Sequence, residues 1–281
     1  MGDLWIQMLT RSDRDLQILN DAIRPKHMAE EIVGYEMMIR ADPSRVSLHN
    51  DVALMYDERG RPDLAAAHFE AVVKLQPDSA AAHYNFGTAL LATGKAAVAI
   101  EHYEQALQIQ PDYGLVHNNW GRALVALGKP ADALAHFREA ARLSSTNAAP
   151  HYNMGMLFRV SGNTSEAITE FREAVRLDPN GVEALGSLAW LLATASSESL
   201  RDPGQAVRLA ERAATLVDRK QAGVLDILAA AQAASSRYDL AVATCDAALA
   251  LNPEASVAAA IRQRRALYEQ GRPYALPGRT P

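Results

Sequence analysis

Four histidines, His49, His83, His117 and His151, stand 34 residues apart, and His68, His102 and His136 keep the same interval. Imidazole is the commonest metal ligand and a ready proton carrier near neutral pH, so such a ladder raises the question of metal or acid–base chemistry. Ligands of one zinc ion lie about 2.0–2.1 Å from it, hence within about 4 Å of one another. Packed helices lie about 8–10 Å apart, so histidines one interval apart cannot close on one ion. Within an interval, a helix pair turning at Gly94 sets His83 level with Ala106 or Leu107 and leaves His102 about 7 Å away along the axis. The histidines are therefore expected to pack, with no metal and no cofactor.

Other chemistry is absent from the pattern. There is no Gly-x-Ser-x-Gly and no His-Glu-x-x-His, and the run from Gly87 to Gly94-Lys95 lacks the spacing of a phosphate-binding loop. The chain is expected not to be an enzyme. Twenty-eight basic against 33 acidic residues give a net charge of -5 without a basic block, which argues against nucleic acid. No apolar run approaches the roughly 18 residues of a membrane span. The opening MGDLWIQMLTRSDRD has no secretory pattern, so a cytoplasmic location is the default unless an upstream region carries an export signal. The single Cys245 cannot make an internal disulfide; it takes a slot that other intervals fill with Phe or Tyr and reads as a buried, inert thiol.

The elements that position these residues follow from the same interval. Pro43, Pro77 and Pro111, then Gly60, Gly94, Gly128 and Gly162, then Ala65, Ala99, Ala133 and Ala167 all recur every 34 residues. A fixed period of this length marks stacked supersecondary units. Within one unit, apolar residues recur at helical spacing on both sides of Gly94, as at Phe86, Leu90, Ile100, Tyr103 and Leu107, which predicts a helix, a glycine turn and a second helix. Pro62 and Pro130 fall in the first turn of the second helix, where no N–H is missed. Gly87, Gly121 and Gly155 face the alanines, and Phe69, Tyr103, Phe137 and Phe171 fill the space between units.

With His83, Phe86, Gly87, Leu90, Ala99, Tyr103, Ala106 and Pro111, residues 80–113 resemble a tetratricopeptide repeat. The resemblance implies an all-α, right-handed superhelical solenoid of antiparallel helix pairs. Six repeats are expected across 46–255, at 46–79, 80–113, 114–147, 148–181, 182–220 with a loop insertion, and 222–255. A half repeat at 25–45 precedes them, and a capping helix at 256–271 and a flexible tail at 272–281 follow. In the cap, Val257, Ile261, Leu267 and Tyr268 are expected inside and Arg262, Arg264 and Arg265 outside.

In this family the first helices line the concave face, which implies a protein or extended peptide as partner. Asp51, Asn85, Asn119 and Asn153, two residues after each histidine, resemble the asparagine ladder of the repeat region of O-linked N-acetylglucosamine transferases. An amide offers both donor and acceptor and so matches any peptide group. Asn50, Tyr84, Thr88, Asn118, Arg122, Tyr152, Met156 and Arg159 are expected in or near that groove. The first helices lack the lysines of the two-carboxylate clamp, which argues against a chaperone-tail receptor. Residues 1–24 are expected to form an irregular or strand-like segment, a remnant of an upstream domain, and MGDLWIQML resembles the last strand of copper type II ascorbate-dependent monooxygenase domains, with Met1 at the copper-binding position. The His-x-His of such sites is missing, so no copper site is expected here. That resemblance supplies the alternative reading, an accessory repeat region whose monooxygenase-like or glycosyltransferase-like catalytic residues lie outside this chain.

Overall fold

The computed structural model describes residues 28–276, and these contain fourteen α-helices and no strand. The strand expected in the first nine residues lies outside the described residues. The chain divides into two compact units, one ending at Lys129 and the other beginning at Pro130. The first holds α1 (28–41), α2 (Val46–Glu58), α3 (Pro62–Leu75), α4 (Ala80–Ala92), α5 (Ala96–Ile109) and α6 (Gly114–Ala126). The second holds α7 (Pro130–Leu143), α8 (Ala148–Val160), α9 (Thr164–Leu177), α10 (Val182–Thr194), α11 (Pro203–Leu216), α12 (Ala222–Ala234), α13 (Tyr238–Ala250) and α14 (Ala255–Glu269). The boundary between units falls inside the expected repeat 114–147.

Local chemistry accounts for the boundaries of the helices. Gly60, Gly94, Gly128 and Gly162 all take left-handed backbone, with φ between 66° and 79°, and so end the first helices α2, α4, α6 and α8. Ser236 takes the same conformation at φ 60° without being glycine, a position that costs a β-carbon residue about 1 kcal/mol or more. Ser79, Asn147 and Asp202 cap the following helices by accepting the backbone N–H of Ala82, Ala149 and Gln205.

The repeated alanines Ala65, Ala99, Ala133 and Ala167 are fully buried, as are Tyr103 and Phe171. A β-carbon on Gly87 would lie 2.6 Å from Tyr103 Cε1 and 3.2 Å from the Ala99 carbonyl; one on Gly155 would lie 2.7 Å from Phe171. These approaches set the register of the α4–α5 and α8–α9 pairs. Cys245 is fully buried, and burial pushes its thiol up to about 12.

Two segments differ from expectation. Arg264, expected on the outer face of the cap helix, turns inward to a nearly buried Asp226. Residues 272–276, expected as the start of a flexible tail, lie against the end of α10, where the Leu276 N–H donates to the Thr194 carbonyl at 2.7 Å. The insertion after α10 contains a single 3₁₀ turn, Glu198–Leu200, and the Asp202 N–H donates back to the Leu192 carbonyl at 3.0 Å.

Candidate peptide-binding face

The histidines come together in a way the turn count missed. His83 Nδ1 lies 3.1 Å from His102 Nδ1, and His49 Nδ1 lies 3.2 Å from His68 Nδ1. The error was one helical turn: close packing of Gly87 on Ala99 sets His83 level with residues 102 and 103, whereas a count from Gly94 sets it level with Ala106. The Nε2–H of His83 donates to the Pro77 carbonyl at 2.9 Å and that of His49 to the Pro43 carbonyl at 3.2 Å. With the far nitrogen committed as donor, the facing Nδ1 of the neutral ring is an acceptor, and the second ring donates into it.

In the corresponding pair of the second unit, Glu170 takes the place of the second histidine, and His151 Nδ1 donates to Glu170 Oε2 at 2.7 Å. Burial, then the facing His49, lowers the pKa of His68 against the pull of Glu36. Burial, then His83, lowers that of His102 against Glu101 and Glu70. Each pair supplies two ligand atoms, and no group of three or more His, Cys, Asp or Glu that could hold a metal is found among the described residues.

The expected groove residues of the first unit fall in different settings. Asp51 and Arg122 are exposed, while Asn50, Tyr84, Asn85 and Thr88 are half-buried. Asn118 and Asn119 are buried. The Asn119 amide donates to Thr88 Oγ1 at 3.0 Å and to the Tyr84 hydroxyl at 3.4 Å, and its oxygen accepts from Arg122 Nη1 at 3.2 Å. The rung formed by Asn119 is thus joined to the preceding repeat. Asn50 Oδ1 is buried with no hydrogen-bond partner among the described residues.

The second unit carries an open cleft of about 480 Å³ on its first helices. Tyr152, Met156 and Arg159, all expected in the groove, line it; the half-buried Asn153 does not. The lining also includes Glu183, Gly186, Ser187 and Trp190 of α10, Asp226 and Ile227 of α12 and Arg264 of α14, which were missed in the sequence. Gly186 and Trp190 lie one 34-residue step beyond Tyr152 and Met156, so the interval already marked them. Asp226 and Arg264 lie beyond the insertion, which breaks the count.

Arg264 Nε donates to Asp226 Oδ1 at 2.8 Å, and its Nη2 donates to Oδ2. Burial pushes the Asp226 carboxyl above its ordinary range, and the Arg264 fork opposes that shift. The guanidinium stands 5.3 Å from the Trp190 ring and 5.6 Å from the Tyr274 ring, so its charge is shared between a carboxylate and two aromatic faces. A second opening of about 470 Å³ shares Tyr152 and Glu183 and is bordered by the starts of α8 and α10.

Helix pairs stacked so that their first helices present a common face within each unit define a helical-repeat protein. A tetratricopeptide repeat model matches residues 53–114, 118–182 and 152–199, more than half of the chain, and the protein belongs to that family. No curated protein sequence matches the chain.

Among solved structures, pilF of Pseudomonas aeruginosa matches with a TM-score of 0.65 at 20% identity, over 79% of this chain and 98% of that one. A chain of the APC/C hetero-tetramer Cut9-Hcn1 matches with a TM-score of 0.62 at 18% identity, over 86% of this chain and 46% of that longer one. YrrB, described as a TPR protein with an unusual peptide-binding site, matches with a TM-score of 0.54 at 19% identity, over 70% of this chain and 99% of that one. At these identities the likeness is one of fold.

Proposed function

We propose that the chain is a non-catalytic scaffold that binds an extended peptide segment of a partner protein on the face of its first helices. The observation that carries this reading is the cleft of the second unit, where successive first helices contribute Tyr152, Met156, Trp190 and Ile227 as apolar wall and Ser187 and Arg159 as polar edge. Its volume of about 480 Å³ falls in the range of about 300–1,000 Å³ that suits a bound side chain or small ligand, and aromatic, Met and Arg residues are those that interfaces favour. The likeness to YrrB supports a peptide as occupant.

Peptides selected from a random library on the full chain test the reading. Met156→Glu and Ile227→Arg put charge on the apolar wall and are expected to weaken the selected peptides at least tenfold while far-ultraviolet circular dichroism stays unchanged. Selected peptides that bind both folded variants as well as the original chain would remove the cleft as the site.

A further inference from the structure

Helix α10 ends differently from the other first helices. In α4 the glycine turn closes the helix end, with Gly94 N–H donating to the Leu91 carbonyl and Lys95 N–H to the Leu90 carbonyl. Helix α10 has no such glycine. Its C-cap, Ala195, leaves at once in extended backbone, with ψ 137°, so the last carbonyls need partners from elsewhere. Asp202 supplies one N–H, and Leu276, far along the chain, supplies another to Thr194.

The segment that brings Leu276 there has the pattern of an extended ligand. Tyr274 and Leu276, two residues apart, are half-buried and pack on the core of the second unit, while Ala275 between them is exposed. That alternation is the signature of an extended chain lying on a surface. The Tyr274 ring lies 5.6 Å from the Trp190 ring and 5.6 Å from the Arg264 guanidinium, both of which also border the cleft.

We infer that Trp190, Arg264 and the Thr194 carbonyl form a docking site for extended segments of the pattern aromatic, any residue, aliphatic. The chain's own Tyr274-Ala275-Leu276 fills this site, and a partner protein carrying the same pattern enters by displacing it. The seat is fitted for exchange. One backbone hydrogen bond and two half-buried side chains hold the segment, and a short link from the end of α14 keeps it at high effective concentration. The inference rests on reading the first-helix face as a binding surface, but its probe is different.

The probe is a fluorescein-labelled, C-terminally amidated peptide with the sequence of residues 272–281, read by fluorescence polarisation on the full chain. Tyr274→Ala with Leu276→Ala empties the seat, and this variant is expected to bind the probe at least tenfold more tightly than the original chain. Probes with the same two alanines, or the variant carrying Trp190→Ala as well, are expected to lose that gain. Equal binding by original chain and variant, or binding indifferent to Trp190, overturns the inference. So does loss of helicity in the Tyr274, Leu276 variant, since the segment would then be core and not an exchangeable occupant. Library-selected peptides that still respond to Met156→Glu in any of these cases leave the cleft reading standing.

Discussion

Acidification should loosen the first unit through its two histidine pairs, and one substitution can isolate the cause. With Nε2–H of His83 held by the Pro77 carbonyl, the His83–His102 contact accommodates one proton between its Nδ1 atoms; a second sets two N–H groups 3.1 Å apart, facing each other. Two charges at the ring separations of 5.3 and 5.4 Å repel by about 3 kcal/mol at an effective dielectric of about 20, before salt screens them. Parting the rings avoids that repulsion but forfeits a hydrogen bond worth about 1 kcal/mol, so each pair loses between about 1 and 3 kcal/mol. The sign follows from the folded pKa values of His68 and His102, which are lowered. The unfolded chain binds the extra protons more readily, so the stability is complete above the unfolded value of about 6.5 and is lost as pH falls from there through the folded value.

Thermal unfolding followed by circular dichroism from pH 7.5 to pH 5 should show a falling midpoint. His102→Glu copies the His151–Glu170 pair, in which a carboxylate oxygen faces the imidazole Nδ1 at 2.7 Å in place of a second ring. That variant should lose about 1–3 kcal/mol less on acidification than the original chain, a difference of roughly 4 °C or more in midpoint for a unit of this size. Identical acid losses in the two proteins would refute the reasoning.

Two further outcomes test the packing. Gly87→Ala should destabilise by about 1–2 kcal/mol, because overpacking against the fully buried Tyr103 ring outweighs the helix preference of alanine, whereas Gly34→Ala, with nothing within 4 Å, should stabilise by up to about 1 kcal/mol; urea titrations of both would expose a wrong sign. Asp226→Ala leaves the Arg264 guanidinium largely buried without its carboxylate and should cost about 3–5 kcal/mol, and Asp226→Leu with Arg264→Met should cost clearly less; equal losses would mean the charge pairing is immaterial.

The interval of 34 residues made the helix pairs, their turns and their buried alanines legible, because a repeat states each of these choices several times over. What it left out was register within a pair. The offset of 19 residues between His49 and His68, or His83 and His102, is plain in the sequence, but contact depends on how far one helix slides along the other, and for His83 and His102 that is decided by Gly87 seating on Ala99. Arg264 was misplaced for a related reason. Its neighbours Arg262 and Arg265 suggested a solvated face, and the carboxylate that draws it inward stands 38 residues earlier, in a mostly apolar helix, with no local sign of the pairing.

The difference between the two units on their first-helix faces comes down to two side chains. Where the first unit has Tyr84 and Asn85, then Asn118 and Asn119, α10 has Gly186 and Ser187. In the first unit those larger residues engage one another: Tyr84 packs on Tyr113 with ring centroids 5.3 Å apart, and Asn119 bonds to Thr88 and Tyr84. In the second unit the same positions are trimmed to hydrogen and hydroxymethyl, between Tyr152 on one side and Ile227 on the other, and the removed volume is the cleft. A β-carbon at residue 186 would already meet Ile227 Cδ1 at 3.1 Å, so the wall is set close to a bare backbone. An asparagine ladder directs attention to Asn119, whose amide is taken up by Thr88, Tyr84 and Arg122. The repeat that breaks the ladder, by shortening its side chains and losing its turn glycine, opens both the cleft and the seat that Tyr274 and Leu276 occupy.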